Sequence, residues 1–197
     1  MVIEINRRGI IAGFTALVAA GPAFALTQGE AQKLVGRLVG EINGVINSGK
    51  SESQMFSDFE RIFAKFADVP TIARYTLGAD ARSASASQIN AYTQVFGGYI
   101  ARRYGRRFRE FIGGEIEVVS TKQVKSFYEV KTLARLKGKA PFVMTFQVTD
   151  RSGSDKFFNI MIEGVNLLLT ERSEIGSLLD QRRGDLNKLI TDMKKLG

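Results

Sequence analysis

The chain has 197 residues, 28 Lys and Arg against 20 Asp and Glu, and a formal net charge of +8. It contains neither Cys nor His, which excludes disulfides, thiol nucleophiles, Ser-His-Asp and Cys-His catalysis, the usual zinc sites and haem ligation through His. The length suits one domain, large enough to bury about 70% of its unfolded surface.

Residues 1–25 read as a signal peptide. Arg7 and Arg8 supply positive charge, Gly9 to Ala20 is an apolar run, Gly21-Pro22 breaks it, and Ala23-Phe24-Ala25 is an A-x-A cleavage site. The run is shorter than the roughly 20 apolar residues of a membrane-spanning helix. The expectation is an exported, soluble protein whose mature chain begins at Leu26. Asn6-Arg7-Arg8-Gly9-Ile10-Ile11 also fits a loose twin-arginine signal, so the export route stays open.

The mature chain opens with helices. Leu34, Val35, Leu38, Val39, Ile42 and Ile46 recur at helical spacing over Leu26 to Ile46, with Thr27-x-x-Glu30 as a capping box. A second helix covers about Glu52 to Ala67. Pro70 suits the first turn of a short third helix, which Gly78 ends. Ser87 is the expected cap of a long helix to about Ile112, with Ile89, Tyr92, Phe96, Tyr99, Ile100, Tyr104, Phe108 and Phe111 as its stripe.

The period then changes. Glu115 to Thr121 and Phe127 to Leu136 read as strands. Phe142 to Thr149 alternates, with Phe142, Met144, Phe146 and Val148 on one face. Asp150 to Asp155 is a hairpin loop, and Lys156 to Glu163 returns with Phe158, Ile160 and Ile162 alternating. Thr170 to Leu179 and Asp185 to Leu196 read as closing helices. Helices followed by an antiparallel meander define an α+β class, with helices covering one face of a sheet.

Few motifs carry chemistry. Arg102, Arg103, Arg106, Arg107 and Arg109 lie within eight residues of the long helix. They form either an anion-facing surface for lipid headgroups or an acidic partner, or a solvated face paired to carboxylates such as Glu110. Nucleic acid is not expected of an exported chain. Asp58 and Glu60, Glu115 and Glu117, and Asp150 and Asp155 have ordinary surface spacing and make no acid–base pair. Gly97-Gly98 inside a helix costs about 1 kcal/mol per glycine against alanine; close helix packing and a thinned wall both account for it. The 14 Phe and 5 Tyr serve either a core or an apolar pocket.

Asp68-Val69-Pro70-Thr71-Ile72-Ala73-Arg74-Tyr75-Thr76-Leu77-Gly78 is followed by Ser85-x-x-Gln88, Tyr92-x-x-x-Phe96-x-x-Tyr99-Ile100 and Tyr104. Ile162-Glu163-Gly164-Val165-Asn166-Leu167, Thr170-x-Arg172-x-Glu174 and Gly184-Asp185-Leu186 follow near the end. In this order the segments resemble the MlaC family, also called the toluene-tolerance auxiliary proteins, over roughly Leu34 to Leu196. Where many members carry aromatics after the Leu-Gly pair, Ala79-Asp80-Ala81-Arg82 stands here.

The resemblance implies an MlaC-like domain over residues 26–197 in which helices surround a twisted sheet and a deep apolar cavity. It implies a monomeric, non-enzymatic periplasmic carrier of phospholipid with no cofactor. Its partners would be an outer-membrane lipoprotein–porin complex and an inner-membrane ABC transporter bearing an MCE-domain ring, and its role upkeep of outer-membrane asymmetry. For the cavity wall, the inward faces nominate Val69, Ile72, Tyr75 and Leu77, then Tyr99 and Tyr104, then Val130, Phe142, Met144, Phe146, Val148, Ile160, Ile162 and Val165. Two other readings compete. An exported esterase lacks His and a Gly-x-Ser-x-Gly elbow. A non-lipid interaction module would use the arginine-rich helix against an acidic partner.

Overall fold

The structure is a computed structural model that describes residues 26–105 and 110–196. The signal-peptide reading of residues 1–25 lies outside the described residues, as do Arg106, Arg107 and Arg109.

Local capping sets the helix starts. Helix α1, Gln28–Ile46, begins at Thr27, whose hydroxyl accepts from the Glu30 amide while the Glu30 carboxylate accepts from the Thr27 amide at 2.8 Å. Those bonds to Thr27 hold the Glu30 carboxyl below the usual carboxylate range. Ser51 and Gln54 form a second capping box for α2, Glu52–Phe66. Asp68 accepts from the Thr71 amide at 3.2 Å and opens α3, Val69–Leu77, with Pro70 in the first turn. Helix α4, Ala86–Gly105, is capped by Ser85 rather than Ser87. Ser85 Oγ accepts from the Gln88 amide, and Gln88 Oε1 accepts from the Ser85 amide, at 3.2 and 3.0 Å. The expected run to Ile112 is not one α-helix: Glu110 and Phe111 form a 3-10 turn before β1.

Of the glycines in the long helix, Gly105 has a clear packing role. A Cβ there would stand 2.7 Å from the Phe56 ring, so α4 closes directly on α2. At Gly98 a Cβ would crowd only the ends of the Arg102 and Glu60 side chains, and nothing in the structure explains Gly97.

Five antiparallel strands lie in sequence order: β1 Glu115–Val124, β2 Phe127–Arg135, β3 Phe142–Thr149, β4 Lys156–Ile162 and β5 Val165–Asn166. Strand β1 outruns its expected end at Thr121, pairing to Val124↔Phe127. Glu163 and Gly164, both at positive φ, form the two-residue turn that pairs Ile162 with Val165. A register shift between Gln147 and Val148 alters the expected alternation on β4. Phe157 is therefore the buried aromatic against Phe146, with ring centroids 5.6 Å apart, while Phe158 meets Phe127 edge-on.

Helix α5, Leu167–Asp180, starts three residues before the expected Thr170 because Asn166 caps it, accepting from the Leu169 amide at 3.1 Å. Helix α6, Leu186–Met193, is capped by Asp185. Helix α1 packs on β1 and β2, and α5 on β4; α2, α3 and α6 pack on α4, and α3 also on α5. The core lies between this helical layer and the sheet, with Tyr92, Phe96 and Tyr99 fully buried along α4. The Tyr92 hydroxyl meets Thr76 Oγ1 at 2.8 Å, and burial drives the phenol well above its ordinary range. No helix among the described residues is long and apolar enough to cross a membrane.

Candidate functional site

The helices and the sheet do not meet everywhere. Between them lies a cavity of about 350 Å³, within the usual ligand-pocket range of roughly 300–1,000 Å³. Helices α1 and α2 contribute Leu38, Ile42, Phe59, Ile62 and Phe63. Ile72 comes from α3, and Ile100, Ala101 and Tyr104 from α4. Phe111 and Ile116 join Met144 and Phe146 of β3, Phe157, Ile160 and Ile162 of β4, and Val165 and Leu168. A cavity with such walls favours an apolar guest. Val165 lines it and is 55% exposed, so the cavity reaches the surface at the β4–β5 turn.

Polar groups on the wall are few and mostly engaged within the protein. Asn159 donates to Gln147 Oε1 at 3.0 Å and accepts from the Leu168 amide at 3.1 Å, tying α5 to β4. Glu171 is 3% exposed and its Oε1 accepts from the Tyr104 hydroxyl at 2.5 Å and from Arg103 Nε at 2.9 Å. Arg103 also reaches Glu174 at 3.3 Å. Burial opposes the Arg103 charge, but Glu171, Tyr99 and Glu174 outweigh it and keep the guanidinium protonated. Burial, then Glu171, raises the Tyr104 hydroxyl above the ordinary phenol range; the same two causes act on Tyr99. Among the described residues Glu171 is the only carboxylate on this wall, so these residues supply no pair of carboxylates for acid–base work there.

The structure brings together Ile72, Tyr104, Met144, Phe146, Ile160, Ile162 and Val165 from the nominated set on this wall. It does not bring the other seven there. Leu77, Tyr99, Val130 and Val148 are packed core with at most 3% exposure. Phe142 stacks edge-on against Phe111, the ring that borders the cavity, at 5.9 Å. Val69 packs against the core at the start of α3. Tyr75 faces solvent, 37% exposed, under the Arg172 guanidinium 5.0 Å from its ring centroid. The α1 and α2 residues on the wall were not nominated, although their apolar stripes are plain in the sequence. Helical spacing marks a buried face without telling whether atoms or empty space lie opposite.

The arginine-rich segment divides. Arg102 donates to the carbonyls of Leu196 and Met193 at 2.9 and 2.5 Å, closing the end of α6. Arg103 is held by Glu171 and Glu174. Both guanidiniums are thus tied to the protein's own groups. A second depression, of about 570 Å³, is an open polar recess beside Asn43, Gly114 and Lys137. The Asn43 side chain there is bonded to both backbone groups of Ile116.

The fold and the site define an α+β protein whose helices cover one face of a five-stranded antiparallel sheet and enclose an apolar cavity. The family model described as MlaC protein matches residues 36–195, and the chain belongs to the MlaC family. Among solved structures, it is similar to a phospholipid-binding protein from Ralstonia solanacearum, determined in complex with a phospholipid. The TM-score is 0.71 at 16% identity, covering 84% of this chain and 95% of that one; what the two share at that identity is the fold. No curated protein matches the sequence.

Proposed function

We propose that this chain is a periplasmic phospholipid carrier without catalytic activity. It moves glycerophospholipid between an outer-membrane lipoprotein–porin complex and an inner-membrane MCE-domain ABC transporter, and so helps maintain outer-membrane asymmetry. The observation that carries the reading is the apolar cavity opening beside Val165. Membership of the MlaC family and the phospholipid held by the similar Ralstonia solanacearum protein support it.

The physical need is large. About 30 chain methylenes entering water cost roughly 24 kcal/mol at about 0.8 kcal/mol each. A carrier offsets that cost with apolar wall, and it releases its cargo readily when few rigid polar contacts hold it. In this reading the acyl chains lie against Leu38, Ile42, Phe59 and Ile62, and the headgroup stays near the β4–β5 turn. Loading and release require the sheet and the helices to part slightly. The mature carrier starts at Leu26, after cleavage of residues 1–25, and works as a monomer. Native mass spectrometry and organic extraction of purified protein test the reading. Close to one phospholipid per chain is expected, and a lipid-free protein that takes up none from vesicles contradicts it.

A further inference from the structure

The start of α1 meets the far end of the sheet at an unusual corner. The Leu26 backbone nitrogen donates to Asp150 Oδ2 at 2.9 Å, across 124 positions of sequence. The Leu26 side chain packs against the core, so the first described residue is seated rather than splayed. Asp150 belongs to the β3–β4 hairpin loop, where its carbonyl accepts from the Gly153 amide.

This corner is negative. Burial, then the charges of Glu30 and Asp150, raise the Asp155 carboxyl, with Arg37 opposing them. Glu30 is bonded to Thr27, with Lys33 as its nearby cation. Among the described residues none of Asp150, Asp155 and Glu30 takes part in a salt bridge. The position of Leu26 N is therefore where a positive charge is best received. In an uncut chain that atom is an amide nitrogen with one proton to donate. The residue before it, Ala25, closes the Ala-Phe-Ala sequence, the small-residue pattern that leader peptidases cut.

We propose that cleavage after Ala25 completes the fold: the new α-ammonium of Leu26 is received by the Asp150 carboxylate and fastens α1 to the β3–β4 hairpin. The inference rests on the reading of residues 1–25 as a cleaved leader. Hydrolysis of the Ala25–Leu26 bond consumes one water, leaving a carboxylate on Ala25 and an amine, protonated at neutral pH, on Leu26. A bond from a neutral amide to the Asp150 carboxylate then becomes an ammonium–carboxylate ion pair. A cation just before a helix N-terminus is otherwise unfavourable, and the three carboxylates at this corner offset that penalty. Because the α-amine gains its partner in the folded state, its pKa rises on folding. The added stability is full below the ordinary α-amino range of about 7.7–8.0 and is lost as pH rises through the folded value.

The full chain, expressed with its own leader and purified from the periplasm, tests this. Intact mass is expected to give a chain beginning at Leu26; an uncut chain or another start overturns the proposal. On that protein, the α-amine is expected to titrate above its ordinary range. At pH 7.0, below both values, it should be acylated roughly tenfold more slowly than the α-amine of Asp150→Asn, the effect of a rise of about one unit from one adjacent opposite charge. An α-amine that titrates in its ordinary range in the unsubstituted protein overturns the proposal without reference to any variant. Co-purified phospholipid measured on the same samples is expected to be equal in the two proteins, so a failure of lipid carriage is read separately from a failure of the pairing.

Discussion

Phe146 and Val148 stand two residues apart on the same face of β3, and both are almost completely buried. Phe146 borders the cavity; Val148 does not. The same contrast divides α4, where Phe96 is packed between Tyr92 and Tyr99 while Tyr104 looks into the void. Residue type is alike in the filled and the hollow regions, and Phe146 is as buried as Val148, although Tyr104 is only half-buried. What differs is whether a neighbour stands opposite. A hollow wall lacks the dispersion contacts that a filled core has on every side, and this protein tolerates that deficit where a ligand is proposed to supply the missing atoms.

The largest effect is expected in the filled region. Phe96→Ala should destabilise the protein by about 3–5 kcal/mol, the range for truncating a packed aromatic. Phe146→Ala should cost about 1 kcal/mol less or lower still, since one side of that ring already faces a void. Denaturant unfolding of lipid-free protein measures both, and equal losses would break the contrast.

Glu171→Gln comes next. Glu171 joins α5 to α4 through Arg103 and Tyr104. Removing one partner of a buried pair costs roughly 3–5 kcal/mol, and Arg103 is about a third exposed, so a loss below that range is expected. The same substitution should bring the Tyr104 phenol back toward its ordinary range, which a spectrophotometric titration reads.

Asp58 sharpens the comparison from a position on α2 that does not line the cavity. Its bond to Lys50 at 2.6 Å, with Arg61 adding its charge, holds the carboxyl below the usual range despite burial. A depressed carboxyl contributes stability above the ordinary value of about 3.9 and loses it as pH falls through the lower folded value. Asp58→Asn should therefore flatten the acid limb of the stability profile. An unchanged acid limb would remove Asp58 as an anchor of α2. The smallest effect is expected from Tyr75→Ala, at most about 1 kcal/mol for an exposed ring under a guanidinium, with no change in bound lipid.

Much of the fold was legible because its signals are local. Thr27 and Glu30, Asp68 and Pro70, and the alternation of β3 each announce an element within a few residues. The Ser85 cap was legible too, since Ser85-x-x-Gln88 is itself a capping box, but the adjacent Ser87 competes for the same reading. The site was less legible, for physical reasons. The register shift after Gln147 buries Phe157 against Phe146 and leaves Phe158 beside it on the wall, and no residue there signals a bulge. Arg102 reads as a surface charge because its acceptors, Met193 and Leu196, lie more than 90 positions away. Leu38, Ile42, Phe59 and Ile62 read as core because a stripe faces inward in the same way over a cavity as over a packed neighbour.

The central claim is that the hollow region, and not the filled one, holds phospholipid. Ile160→Trp and Ile72→Trp place a large ring in the cavity without replacing any buried polar group. Native mass spectrometry of the purified protein measures the outcome, with unfolding curves as a check on the fold. Close to one phospholipid is expected on the unsubstituted chain and little or none on the two tryptophan variants, at nearly unchanged stability. Full lipid load on both folded variants would contradict the claim.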